Sequence, residues 1–194
     1  MISFRFDIKK IVQIVNYLLK KNGGFINYTK LVKLLYIADK EFLKNWDYTI
    51  TRASYVSLDK GPILSEVYDL LKGKNEDEIK QLYWDNFFYT DGYDLRLVQD
   101  NNLPIDRLCD AEIETLEKVD TEFKDKDYGY LIDYTHNKKL FPEVKWEEAK
   151  NSSIPLPVED ILKALGRTDV EINNLKEEIE LLNKESEFFS KSCS

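Results

Sequence analysis

Ile8, Ile11, Val12, Val15, Leu18 and Leu19 recur at the three-four spacing of one helical face, and the run stops at Gly23-Gly24. A stripe of that kind has to face a core, so it fixes an amphipathic helix at the start of the chain. Asp7 stands where an N-cap acceptor is wanted, and the glycine pair supplies the stop. A second helix is predicted from Asn27 or Thr29 to about Trp46, with Leu31, Leu34, Leu35, Ala38 and Phe42 on one face. These two segments commit the chain to a mainly helical architecture.

Weaker signals follow. Thr49–Leu58 is rich in β-formers but short, and Asp59-Lys60-Gly61-Pro62 turns the chain. Pro62 suits the first position of a helix, where a missing N–H costs nothing, and Leu64, Val67, Tyr68 and Leu71 give that third helix its stripe. After a polar loop at residues 73–77, Gln81–Tyr89 and Gly92–Gln99 read as two strands joined at Asp91-Gly92, a pair that tolerates positive φ. Asp110 is placed to cap a helix bearing Ile113, Leu116, Val119 and Phe123. Short helices are expected over Leu131–His136 and around Trp146, and a last one carries Val158, Ile161, Leu162 and Leu165 before Gly166. The expected fold is mainly α within the α+β class: a compact multi-helix domain with a small antiparallel hairpin or sheet.

The tail reads differently. Ile172, Leu175, Ile179, Leu182 and Phe189 fall on heptad core positions, and acidic residues outnumber basic ones around them. An isolated helix of that length is marginal in water, so its seam needs cover from its own domain, a second copy of the chain or a foreign partner. The expected division is therefore a domain over residues 1–166 and an acidic amphipathic helical tail over 167–194. Homo-oligomerisation through that tail is one of the readings it leaves open.

Charge narrows the partners. The net charge is -8, yet residues 1–72 carry 12 basic against 7 acidic residues, a surplus of five. The remaining chain holds 16 basic and 29 acidic residues, a deficit of 13. So acidic a protein is a poor general binder of nucleic acid, which requires a basic face. Lys9, Lys10, Lys20, Lys21, Lys30, Lys33, Lys40 and Lys44 are expected on solvated outer faces of helices, and a positive stripe is the sharper alternative. No apolar run reaches the length of a membrane span, and no secretory leader is visible. Cys109 and Cys193 sit far apart and read as reduced thiols, which points to the cytoplasm.

The inventory for catalysis is nearly empty. Neither cysteine has a companion at metal-ligand spacing, and there is one histidine, His136. Gly23-Gly24 lacks the Lys-Ser/Thr and the preceding strand of a phosphate loop. Asp133 lies one short turn before His136 and is placed to orient its ring, but no nucleophile elbow accompanies the pair. No enzyme, cofactor or metal is expected. The 12 Tyr, 10 Phe and 3 Trp are either core residues or the rings of a protein contact surface. Asp85 and Asn86 between the rings argue against stacking on nucleic acid.

Lys33-Leu34-Leu35-Tyr36-Ile37-Ala38-Asp39-Lys40, then Tyr55 and Lys60-Gly61-Pro62-Ile63, then residues 65–72, resemble the SocA-like Panacea antitoxin domain, also met in phage and mobile-element proteins. Leu131, Thr135-His136, Trp146 and Ile154 continue the likeness, which spans roughly Ile8 to Leu165. Where the family often has His before Gly-Pro, this chain has Lys60. The resemblance implies an interaction protein that binds a cognate protein toxin and covers its active site. It also admits an adaptor that hands the toxin to an ATP-dependent protease, or a phage or mobile-element protein that binds a host factor. Tyr36, Lys60, Gly61, Pro62, Tyr68, Thr135, His136 and Trp146 are the motif positions it offers as partner-binding candidates, with Ile172, Leu175, Ile179, Leu182 and Phe189 as the tail's.

Overall fold

The structure, a computed structural model, describes residues 1–99 and 103–192, with side chains through residue 185. Helix α1 (Ile8–Lys21) begins where the Asp7 carboxylate accepts from the amides of Lys9 and Lys10. Strand β1 (Phe25–Asn27) leads into α2 (Tyr28–Trp46), whose first amides, those of Thr29 and Lys30, are capped by the Asn27 side chain. Helix α2 is the centre of the molecule. Leu31, Leu34, Leu35, Tyr36, Ala38 and Leu43 are buried along it, on more than one face. A core leucine of this kind costs about 2–5 kcal/mol when cut to alanine.

Two three-stranded antiparallel sheets flank this helix. One has the order β3-β2-β6, from β2 (Tyr55–Leu58), β3 (Gly61–Leu64) and β6 (Ile154–Pro155). Pro62 therefore lies in a strand, opposite Ser57, and α3 (Ser65–Leu71) starts only at Ser65. The reason is that β3 is an outer strand. A proline there withholds no ladder bond, and Gly61 at φ 88° makes the turn that precedes it.

The second sheet has the order β1-β5-β4, from β4 (Phe88–Asp91) and β5 (Asp94–Leu97). The hairpin expected from sequence is present. Its two-residue turn is Gly92-Tyr93, with Gly92 at φ 61° and Asp91 facing Asp94. The first predicted strand is shorter than expected, because residues Glu78–Asp85 form a helix, α4, instead. Asp77 is its N-cap, accepting from Ile79 and Lys80, and that local bond outweighs the β-forming aromatics. Trp84 and Phe88 are buried there, with ring centroids 4.6 Å apart.

Helix α5 (Asp110–Glu122) is capped by Cys109, not by Asp110, which is its first residue. Glu112 closes the box by accepting from the Cys109 amide at 3.1 Å, and its other oxygen takes the buried Lys10 ammonium at 2.5 Å. Helix α6 (Tyr128–Thr135) ends at His136, while the segment around Trp146 is a series of turns with no helix. Helix α7 (Val158–Ala164) is followed by Gly166 at φ 89° and by α8 (Asp169–Ser192).

Ile172 and Ile179 are buried, and α8 lies against α7. Asn183 Nδ2 donates to the Ser3 carbonyl, so the tail also reaches the chain's start. Leu175 is half-buried, Leu182 is 50% exposed, and Phe189 lies beyond the described side chains. Cys109 is exposed and Cys193 is outside the described residues.

Candidate functional site

The motif residues converge at the first half of α2. Its Lys33, six residues past the Asn27 cap, points beneath the β2–β3 turn and is 1% exposed. Its Nζ donates to the Pro62 carbonyl at 2.7 Å. This is a correction to the expected outer-face lysines: Lys33 and Lys10 are both interior. Lys40 is half-buried, shared between the Leu140 carbonyl and Glu143. There is no eight-lysine stripe.

Gly61 is the point of closest approach. A Cβ there would sit 2.8 Å from Thr135 Oγ1, 3.2 Å from Lys33 Nζ and 3.3 Å from His136 Cδ2. With φ at 88° as well, only glycine fits without strain. The Lys-Gly-Pro turn, the α2 lysine and the Thr-His pair thus form one junction, although they lie far apart in sequence. Thr135 Oγ1 returns its proton to the Leu131 carbonyl at 2.9 Å, so it is satisfied within α6.

His136 stacks on Trp146, with centroids 4.2 Å apart and planes 13° from parallel, and Trp146 Nε1 donates to the His136 carbonyl. Burial, then the neighbouring Lys33 charge, hold the imidazole below its ordinary pKa, while Asp133 and the Asp59 backbone oppose them. The ring is accordingly neutral at pH 7. Asp133 acts as a nearby charge, and the Trp146 stack sets the ring's plane. Burial also pushes the Lys33 ammonium down to about 7, with the Asp59 carboxylate pulling the other way.

Further along α2 a second polar junction is fully internal. Asp39 accepts from the Thr51 amide at 2.9 Å, from Tyr55 Oη at 2.8 Å and from the Thr51 hydroxyl. Burial still raises it to about 6, because those donors offset only part of the desolvation. Tyr36 Oη and Lys40 Nζ both donate to Glu143 Oε1, at 2.7 and 2.6 Å. These bonds tie α2 to the strand region and to the turns before β6.

Of the motif candidates, Tyr36, Gly61, Pro62 and Thr135 are buried and build the fold, whereas Lys60 is exposed and Tyr68, His136 and Trp146 are half-buried. Lys60 and Tyr68 line a cleft of about 470 Å³ with Lys33 and Tyr28. Tyr36 and Trp146 lie away from its walls. Lys33 is the site residue that sequence reasoning passed over as a candidate, although it opens the motif.

The comparisons bear on this junction directly. A protein-family model described as antitoxin SocA-like, Panacea domain, matches residues 31–141, more than half the chain. The chain belongs to that family. The match takes in Lys33, the Gly61-Pro62 turn and Thr135-His136, while Trp146 and Ile154 lie beyond it. No curated protein and no solved structure matches significantly. Membership of the SocA-like Panacea family supports a general antitoxin role and implies a protein partner such as a toxin. Among the described residues no helix is long and apolar enough to cross a membrane, and no cluster of His, Cys, Asp and Glu could hold a metal ion.

Proposed function

We propose that this Panacea-domain protein is the antitoxin of a toxin–antitoxin pair and neutralises its toxin by binding it and covering its active site. The observation that carries the reading is the family match over residues 31–141, laid on a junction that serves packing. Three buried ionisable groups of α2 and its surroundings support it by serving packing: Lys33 bonds the Pro62 carbonyl, Asp39 accepts from Thr51 and Tyr55, and Glu143 accepts from Lys40 and Tyr36. Adhesion needs no bond-making, and the exposed Lys60 with the half-buried Tyr68 offers a polar and aromatic contact at the cleft's edge.

The acidic tail is the second contact. Glu177, Glu178 and Glu180 are exposed on α8, while Ile172 and Ile179 fasten it to the domain. A toxin that handles RNA or nucleotides presents basic surface, which an acidic helix complements.

Co-expression with the product of the neighbouring gene tests the main reading: growth is restored and the toxin co-purifies intact. Toxin that is poisonous despite co-expression overturns it. Toxin that disappears only when an ATP-dependent protease is present replaces occlusion with delivery for degradation. Changing Glu177, Glu178 and Glu180 together to lysine preserves the tail's packing and should weaken the complex and its salt dependence. Undiminished binding removes the tail from the interface.

A further inference from the structure

The cleft beside Lys33 has a chemistry that the antitoxin role does not use. We propose that it binds a small organic anion, with a carboxylate or phosphate seated at Lys33 and a flat unsaturated body held among the tyrosines. This does not depend on the toxin reading.

Size comes first. About 470 Å³ lies within the range of small-molecule sites, and the walls mix apolar surface with a few convergent polar groups. Lys33 supplies the anchor. An ammonium carries three protons, and Lys33 Nζ spends one on the Pro62 carbonyl. A 1% exposed cation with protons in hand is costly, and an oxyanion arriving through the cleft would recover that cost. The N-terminal end of α2 also lines the cleft, at Asn27, Tyr28 and Thr29, and its dipole favours negative charge there.

The aromatic walls fit a flat body. Tyr28, Tyr68, Tyr93 and Tyr128 all face the cleft. Lys72 stiffens one side, its Nζ lying 4.2 Å over the Tyr28 ring and 5.3 Å from the Tyr68 centroid while donating to Tyr28 Oη at 2.8 Å. That places a second cation by the tyrosines, and Lys60 stands exposed at the turn. Asp59 is the opposing charge; it is exposed and shares the turn with Lys60. Lys33, Lys60 and Lys72 thus set three basic groups against Asp59 around this cleft in a protein whose net charge is -8.

A proton signature should accompany binding. Free Lys33 titrates at about 7, so at pH 8 most molecules hold it neutral, and a bound carboxylate draws a proton onto it. The charged groups around it are Asp59 and Lys60 from the turn and His136 from the end of α6, the last already neutral at that pH.

The test is calorimetric titration of the full chain at pH 8 with adenosine 5′-monophosphate and 4-hydroxyphenylacetate. Inorganic phosphate, adenosine and 4-hydroxyphenylethanol serve as controls. At least one organic anion should bind with a Kd below about 1 mM, with its neutral counterpart weaker by at least about tenfold. For the carboxylate, heats measured in Tris and in HEPES should differ by the amount that reports proton uptake. Lys33→Met should lose about tenfold or more in affinity. Should that variant not fold, Ile132→Trp, which fills the cleft from α6 and leaves Lys33 in place, must abolish binding with the melting temperature retained. No binding by either organic anion overturns the proposal, as does equal binding of the neutral compounds or unchanged binding in Ile132→Trp. Inorganic phosphate binding as tightly as the nucleotide overturns the aromatic part of it.

Discussion

Replacing Lys33 by methionine removes a buried charge while keeping the length of the side chain, and the effect should depend on pH in one direction. Burial holds the folded amine at about 7, against an ordinary 10.5 in the unfolded chain. Between those values the native state binds fewer protons than the unfolded one, so its stability rises with pH. Below pH 7 the whole penalty is present, and above 10.5 it is gone. From pH 7.5 to 9.5 the parent protein should gain roughly 2–3 kcal/mol relative to Lys33→Met, whatever the variant loses by giving up the bond to Pro62. Other buried groups, Asp39 among them, are common to both proteins and cancel in the difference. Urea unfolding at three pH values, extrapolated linearly, measures it. A difference between the two proteins that stays flat to within about 0.5 kcal/mol would refute the reasoning, because the amine would then be hydrated in the folded state.

Gly61→Ala should cost about 2–4 kcal/mol by thermal or urea unfolding, the sum of a side chain at positive φ and a contact with Thr135 Oγ1. Adding Thr135→Ala should recover the contact part and leave the backbone part; full additivity of the two changes would refute the close approach. Glu143→Ala strands Lys40 and Tyr36 and should cost about 3 kcal/mol, whereas Glu41→Ala, which loses the partner of the exposed Lys118, should change little. The His136 ring should titrate by NMR below its usual 6.5 and move upward in Lys33→Met, where the repelling ammonium is gone. Because its folded value is the lower one, its protonation takes stability away as pH falls through that range.

The first two helices were legible because their signals are local: Asp7 and Asn27 cap them, Gly23-Gly24 interrupts them, and the apolar spacing is regular. The hairpin turn at Gly92 and the end at Gly166 were legible for the same reason, since a positive φ selects the residue. Helix α4 was not, because its aromatics fit a strand equally well and only the Asp77 cap decides. Pro62 failed differently: a helix start and an outer strand both tolerate a missing N–H, and the sheet that chooses between them includes β6, some ninety residues on. Lys33 was hidden because charge suggests an outer face. A signal was nonetheless there. Val32, Leu34, Leu35, Tyr36 and Ile37 surround it, and a helix apolar on every side is covered on every side.

Lys33 and Asp39 find their partners within thirty residues, but other locks on the first two helices are supplied late by the ribosome. Lys10 waits for Glu112, β1 for β5, Tyr36 for Glu143 and the Ile2 amide for Glu159. A nascent chain that has emerged as far as residue 100 therefore has its central helix made, with β1, β3 and α3 beside it, but still lacks the cover of α5, α6 and α7. Maturation is completed late, and a chain truncated before α5 would leave one side of that helix open to proteases. Supply of a working protein would then track completed translation closely, with little credit for partial synthesis.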